Sequence, residues 1–118
     1  MSGDVAGPEL PLRLVLAEWD RLVSAWRLVP VERDALLGGV PGGDVALAPS
    51  YGADVAQLRM RLLIELAHAL RRVLRSDARI RAWLRRPNQH LGGSTPVEAM
   101  ASSPEWVRWL TRAIEVAS

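Results

Sequence analysis

The sequence predicts an all-α fold. Three observations carry this expectation. Apolar residues recur at helical spacing over long stretches of the 118-residue chain. Proline follows a small or capping residue at several of these stretches, as at helix starts. No stretch alternates apolar and polar residues with the period of a strand. About six helices are expected, in one domain with two sub-modules. The apolar share of 49 % and charged share of 24 % are those of an ordinary globule, and the absence of cysteine excludes a disulfide framework or a thiolate metal site. No apolar run approaches a membrane span, and no signal-peptide pattern opens the chain, so a cytoplasmic location without membrane contact is expected.

Residues 1–11 carry Gly3, Gly7, Pro8 and Pro11 with little periodicity and are expected to be a flexible lead-in. From Leu12 the positions Leu12, Val15, Leu16, Trp19, Leu22, Val23 and Trp26 fall on one helical face, predicting an amphipathic helix that ends near Leu28. Its two tryptophans lie within the stripe and are expected in the core. Pro30 opens a short second helix, with Glu32 in its first turn and Gly38 as terminator. The stretch from Gly38 to Gly52 holds five glycines and two prolines and is expected to be a loop, with at most a turn near Val45 to Ala48.

A long helix is predicted over roughly 53–75, with Leu58, Leu62, Leu63, Leu66, Ala67, Leu70, Val73 and Leu74 on its apolar arc. Arg61, Glu65, His68, Arg71, Arg72 and Arg75 lie on the other face, Arg61 and Glu65 at pairing distance in sequence. Ser76 or Asp77 is placed to cap a fourth helix that turns Ile80, Trp83 and Leu84 inward and runs to about Arg85. Pro87 disfavours helical geometry at the preceding residue and ends that helix. Asn88 to His90 form a polar turn, and Gly92-Gly93 admit backbone angles that other residues resist. Thr95 and Glu98 have capping-box spacing, with Pro96 at the first helical position of the fifth helix. Ser103-Pro104-Glu105 repeats the pattern and opens a sixth helix towards Ala117. The domain division expected is 1–11, then 12–57 with its Gly/Pro-rich loop, then 58–118.

Charge is unevenly placed. Every basic residue except the two histidines is arginine, and residues 59–86 hold nine arginines against Glu65 and Asp77, within a chain whose net charge is only +2. Such a block faces an acidic or phosphate-bearing partner, or is a solvated helix face. Catalytic chemistry finds little footing. His68 and His90 have no partner at metal-ligand spacing, and the glycine-rich segments lack a P-loop lysine, so no enzyme, metal site or cofactor is expected.

The sixth helix is more informative. Trp106, Val107, Trp109, Leu110, Ala113, Ile114, Val116 and Ala117 cover nearly half its circumference, wider than one docking face needs. Trp106 and Trp109 are therefore candidate anchors for a partner, with Arg112 beside them, or else they close a core that contains no phenylalanine. Arg85 and Arg86 offer forked donors, or complement the negative end of their helix.

The run WLRRPN (Trp83 to Asn88), then LGG (Leu91 to Gly93), then TPVEAM (Thr95 to Met100) resembles the toxin-binding domain of the Xre/MbcA/ParS antitoxins. The resemblance covers about Leu62 onward. Trp26 to Gly38 is more loosely similar to the family's opening helix-turn-helix, followed here by a stretch with no basic residue between Arg33 and Arg59 where the family carries a recognition helix. The architecture implied is a degenerate helix-turn-helix-like module followed by a toxin-binding helical module. The function implied is that of an antitoxin in a type II toxin–antitoxin system. Its partner would be a RES-domain toxin that acts on NAD, blocked by direct occlusion of its active site. By the resemblance, Trp83, Arg85, Arg86, Pro87, Asn88, Gly92, Gly93 and Pro96 form the toxin-binding motif; Trp106, Trp109 and Arg112 join it from the helix geometry. A hetero-oligomer with the toxin is implied, with homodimerisation left open. The alternative is a DNA-binding operon regulator in which Arg59, Arg61, Arg71, Arg72 and Arg75 track the phosphate backbone.

Overall fold

The computed structural model describes residues 10–38 and 49–117. Most of the expected lead-in lies outside the described residues, as do residues 39–48 of the Gly/Pro-rich stretch with the turn expected near Val45 to Ala48. Among the described residues the fold is all-α. Its helices are α1 (Leu12–Trp26), α2 (Pro30–Leu36), α3 (Pro49–Leu74), α4 (Asp77–Leu84), α5 (Pro96–Ser102) and α6 (Pro104–Ala117), with a 3₁₀ turn at Gln89–Leu91 between α4 and α5.

Helix α3 is the spine. Leu63, Leu66 and Leu70 are essentially inaccessible to solvent, and α6, α1 and α4 pack around them. Helix α2 packs on α5, which in turn packs on α6. The helix opens at Pro49, four residues before the expected start at Ala53. Proline at the first helical position gives up only an N–H that has no intrahelical partner, and its fixed φ suits the helix. Gly52 sits in the first turn of this 26-residue helix. A glycine there costs about 1 kcal/mol relative to alanine, too little to stop a helix of that length.

Helix α1 buries Val15, Trp19, Leu22 and Trp26 at four–three–four spacing. Leu12 and Leu16, expected on the same stripe, are 48 % and 45 % exposed: Leu16 stands to one side of that line of contact, and Leu12 is the first residue of the helix. The helix stops two residues short of Leu28. Arg27 turns left-handed (φ 52°), its N–H donates to the Ser24 carbonyl, and Leu28 N–H donates to the Val23 carbonyl. Two arginines, Arg81 in α4 and Arg85 just beyond it, complete this helix end. Arg81 Nη1 donates to the Ala25 carbonyl at 3.0 Å and Arg85 Nη2 to the Arg27 carbonyl at 3.3 Å, filling acceptors that the last turn of a helix leaves open.

Local capping matches the sequence pattern. Ser76 Oγ accepts from Arg79 N–H at the start of α4. Thr95 Oγ1 accepts from Glu98 N–H while the Glu98 carboxylate accepts from Thr95 N–H, a complete capping box at the start of α5. Thr95→Ala removes one half of it and is expected to lower unfolding stability by about 1 kcal/mol, read from the urea midpoint at unchanged m-value.

Candidate functional site

The connection between α4 and α5 is a folded elbow organised by Asn88. Its side-chain oxygen accepts from His90 N–H at 2.8 Å, its own N–H donates to the Ser94 carbonyl at 3.0 Å, and its carbonyl accepts from Leu91 and Gly93 N–H. One asparagine thus ties both ends of the turn together. Gly92 (φ 67°) and Gly93 (φ 88°) take the left-handed angles that let the chain double back, with open space where a Cβ would stand, so the requirement is conformational rather than steric. Leu91 points into the core, and Pro96, at the first position of α5, is fully buried.

The elbow motif separates into two groups in space. Trp83 is half-buried against the core beside Leu84. Arg85 is turned inward along the surface: besides the Arg27 carbonyl it holds the Glu32 carboxylate of α2 at 2.8 Å. Glu32 in turn accepts from Val29 N–H at the start of α2, so a single carboxylate links the α1–α2 junction to the end of α4. With Asn88, Gly92, Gly93 and Pro96, these residues shape the elbow. Arg86 and Pro87 are exposed, and among the described residues Arg86 has no side-chain hydrogen bond or ion pair.

The elbow lies beside α6. His90, Glu105, Trp106, Arg108, Trp109 and Arg112 line one open depression of about 450 Å³. Trp106 and Trp109 meet edge to face, ring centroids 5.7 Å apart at 77°, an arrangement aromatic pairs favour. Trp109 nevertheless stands 50 % exposed. Arg108 pairs with Glu105 one turn before it, whereas Arg112 has no ion pair among the described residues. The three α6 residues expected from the sequence are therefore gathered here. His90, Glu105 and Arg108 join this surface beyond the residues to which the sequence points. Glu105 and Arg108 share the exposed side of α6 with Arg112, a pattern readable from spacing; His90 arrives only because the elbow folds back.

The arginines expected to track DNA are dispersed and largely engaged. Arg61 donates to the Leu10 carbonyl at 2.9 Å and to Gln57 Oε1 at 3.0 Å, rather than pairing with Glu65 as its spacing allows. Arg71 pairs with Asp77 at 3.4 Å and Arg72 with Glu115 at 3.8 Å. Arg75 holds a left-handed backbone (φ 60°) just beyond α3. Arg59 is half-buried beside Gly38 and Val55. Among the described residues, three of the five guanidiniums thus have partners. Among the described residues no helix is long and apolar enough to cross a membrane, and no cluster of potential metal ligands occurs.

No curated protein and no solved structure matches the chain. A family model does match at residues 69–105, the model of the antitoxin Xre/MbcA/ParS C-terminal toxin-binding domain. The matched segment runs from the end of α3 through α4, the Asn88 elbow and α5 to the first turn of α6. Trp106, Trp109 and Arg112 stand just past its end. Residues 69–105 thus match the toxin-binding domain of the Xre/MbcA/ParS antitoxins, which supports an antitoxin role for the chain with a protein toxin as its partner.

Proposed function

We propose that this chain neutralises a RES-type toxin acting on NAD, by binding directly over the toxin's active site. The observation that carries the proposal is the match of residues 69–105 to a toxin-binding domain, with an exposed aromatic and cationic surface immediately beside it. A stoichiometric blocker requires a pre-shaped face and no catalytic groups. The elbow meets that requirement, since Asn88, the two left-handed glycines and the Arg85–Glu32 bridge fix its course without a ligand. Little ordering cost then falls on binding itself. Arg86, Pro87, Trp106, Trp109 and Arg112 supply the contact face in this reading, while Trp83, Arg85, Asn88, Gly92, Gly93 and Pro96 hold it in shape.

The test is NAD consumption by the product of the adjacent reading frame, with and without an equimolar amount of this chain. NAD loss that stops at one equivalent is the expected outcome. A neighbour with no NAD-directed activity, or one that binds this chain without being inhibited, overturns the proposal.

A further inference from the structure

Helix α1 meets the core along Val15, Trp19, Leu22 and Trp26. Leu12, Leu16 and Val23 form a second line on the same helix. At 3.6 residues per turn these three fall within about 40° of one another, rotated by roughly a fifth of a turn from the buried line. Leu12 is 48 % and Leu16 45 % exposed, and Val23 is only half-buried. Arg13 and Asp20 stand just outside this seam, two turns apart, and both are exposed. Neither has an ion pair or a side-chain hydrogen bond among the described residues. Asp20 also has no basic residue three or four positions away, so its own helix offers it no partner.

We infer that this seam pairs two copies of the chain, with their α1 helices antiparallel. The charge pattern selects both the occupant and the orientation. Apolar positions at i, i+4 and i+11 follow the heptad spacing by which helices pair, and Arg13 and Asp20 then hold the same flanking position in successive heptads. Charges at that position set the partner and its direction. With a two-fold axis level with Leu16 and Ala17, Arg13 of each copy falls beside Asp20 of the other, and two ion pairs form at once. The same axis brings the two Leu16 side chains together and sets Leu12 close to Val23 across the seam. A parallel pair sets each charge level with its own counterpart and gains nothing from the pattern. A face that complements itself in this way fits the isologous contact of a two-fold dimer, in which each residue and its partner are exchanged by the axis. The seam shares no residue with the elbow or with α6, so one dimer carries two elbows.

Sedimentation equilibrium of the full chain alone, over a range of protein concentrations at low and high salt, is the test. The wild type is expected to be dimeric at high concentration and to dissociate on dilution. Leu16→Glu, at a half-exposed position, is expected to weaken dimerisation at least about tenfold with an unchanged circular dichroism spectrum. Arg13→Asp and Asp20→Arg each turn both ion pairs into like-charge contacts. Each is expected to weaken the dimer about tenfold at low salt and less at high salt. The double variant Arg13→Asp/Asp20→Arg re-forms both pairs with their signs reversed and is expected to restore wild-type affinity, a rescue that only the antiparallel self-pairing produces. A chain that stays monomeric at every concentration overturns the inference. So does a dimer that Leu16→Glu leaves intact, which assigns self-association to another face, and so does a double variant no tighter than its two parents. Because the toxin is absent from the experiment, each of these results leaves the antitoxin reading as it stands.

Discussion

Trp26→Ala is expected to remove a large part of the folding stability of the chain, with a loss of about 3–5 kcal/mol set against the roughly 5–15 kcal/mol typical of a domain. Trp26 is 1 % exposed at the end of α1, where that helix meets α3 and α4. The size of the loss depends on whether the neighbours can close over the missing indole. They are poorly placed to do so. Trp26 already forms part of the floor of a half-open cleft of about 60 Å³ between α1 and α3, rimmed by Glu18, Arg21, His68 and Asp77, and truncation widens that cleft. The last carbonyls of α1 are also held by Arg81 and Arg85, which resist the inward shift of the helix end that would fill it. The loss should therefore fall at the upper end of the range. Urea unfolding followed by far-ultraviolet circular dichroism measures it. A loss below about 1 kcal/mol would show that the α1–α3–α4 junction repacks freely, contrary to the fixed helix end described above.

The fold was legible in the sequence because its helices state their periodicity and their starts locally. Ser76, Thr95 with Glu98, and the prolines at positions 30, 96 and 104 all mark the helix starts they predict. The places where expectation slipped are those where a distant contact decides. The spacing of Leu12 and Leu16 matches the buried stripe of α1, yet which side of that stripe meets α3 is a tertiary matter, and both remain exposed. Pro49 reads equally well as loop composition and as a helix opening, and only the continuous bonding of α3 settles it.

The candidate site divides in the same way. Asn88, Gly92 and Gly93 announce a turn by residue type. The destination of Arg85 does not follow from its neighbours in sequence, because its partner Glu32 lies 53 residues away. Two adjacent arginines of identical chemistry therefore separate, Arg85 into an intramolecular bridge and Arg86 to the open surface. The breadth of the apolar arc on α6 was visible from the sequence. Its separation into a buried face and an exposed side follows only from where α3 and α5 lie against it.

Trp109→Ala is expected to weaken the toxin complex by at least about 2 kcal/mol, roughly thirtyfold in Kd, with a smaller loss of folding stability. The two effects separate because of where the indole stands. Half of its surface is exposed, and its neighbour on the inner side is Trp106, with which it makes an edge-to-face contact. Losing that contact costs about 0.5–1.5 kcal/mol of folding stability. Binding loses more, because a tryptophan seated in a partner's groove removes a large apolar area from water and its alanine replacement leaves that groove unfilled. Arg108 and Glu105 lie on the same exposed side and pair with each other, so the surrounding charge pattern survives the substitution. Parallel measurement of Kd for the adjacent-frame product and of the urea midpoint distinguishes the alternatives. An affinity loss without a matching stability loss is the signature of a contact residue. Equal losses in both would make Trp109 a packing residue whose exposure is incidental, and an unchanged affinity would remove α6 from the toxin-contacting face.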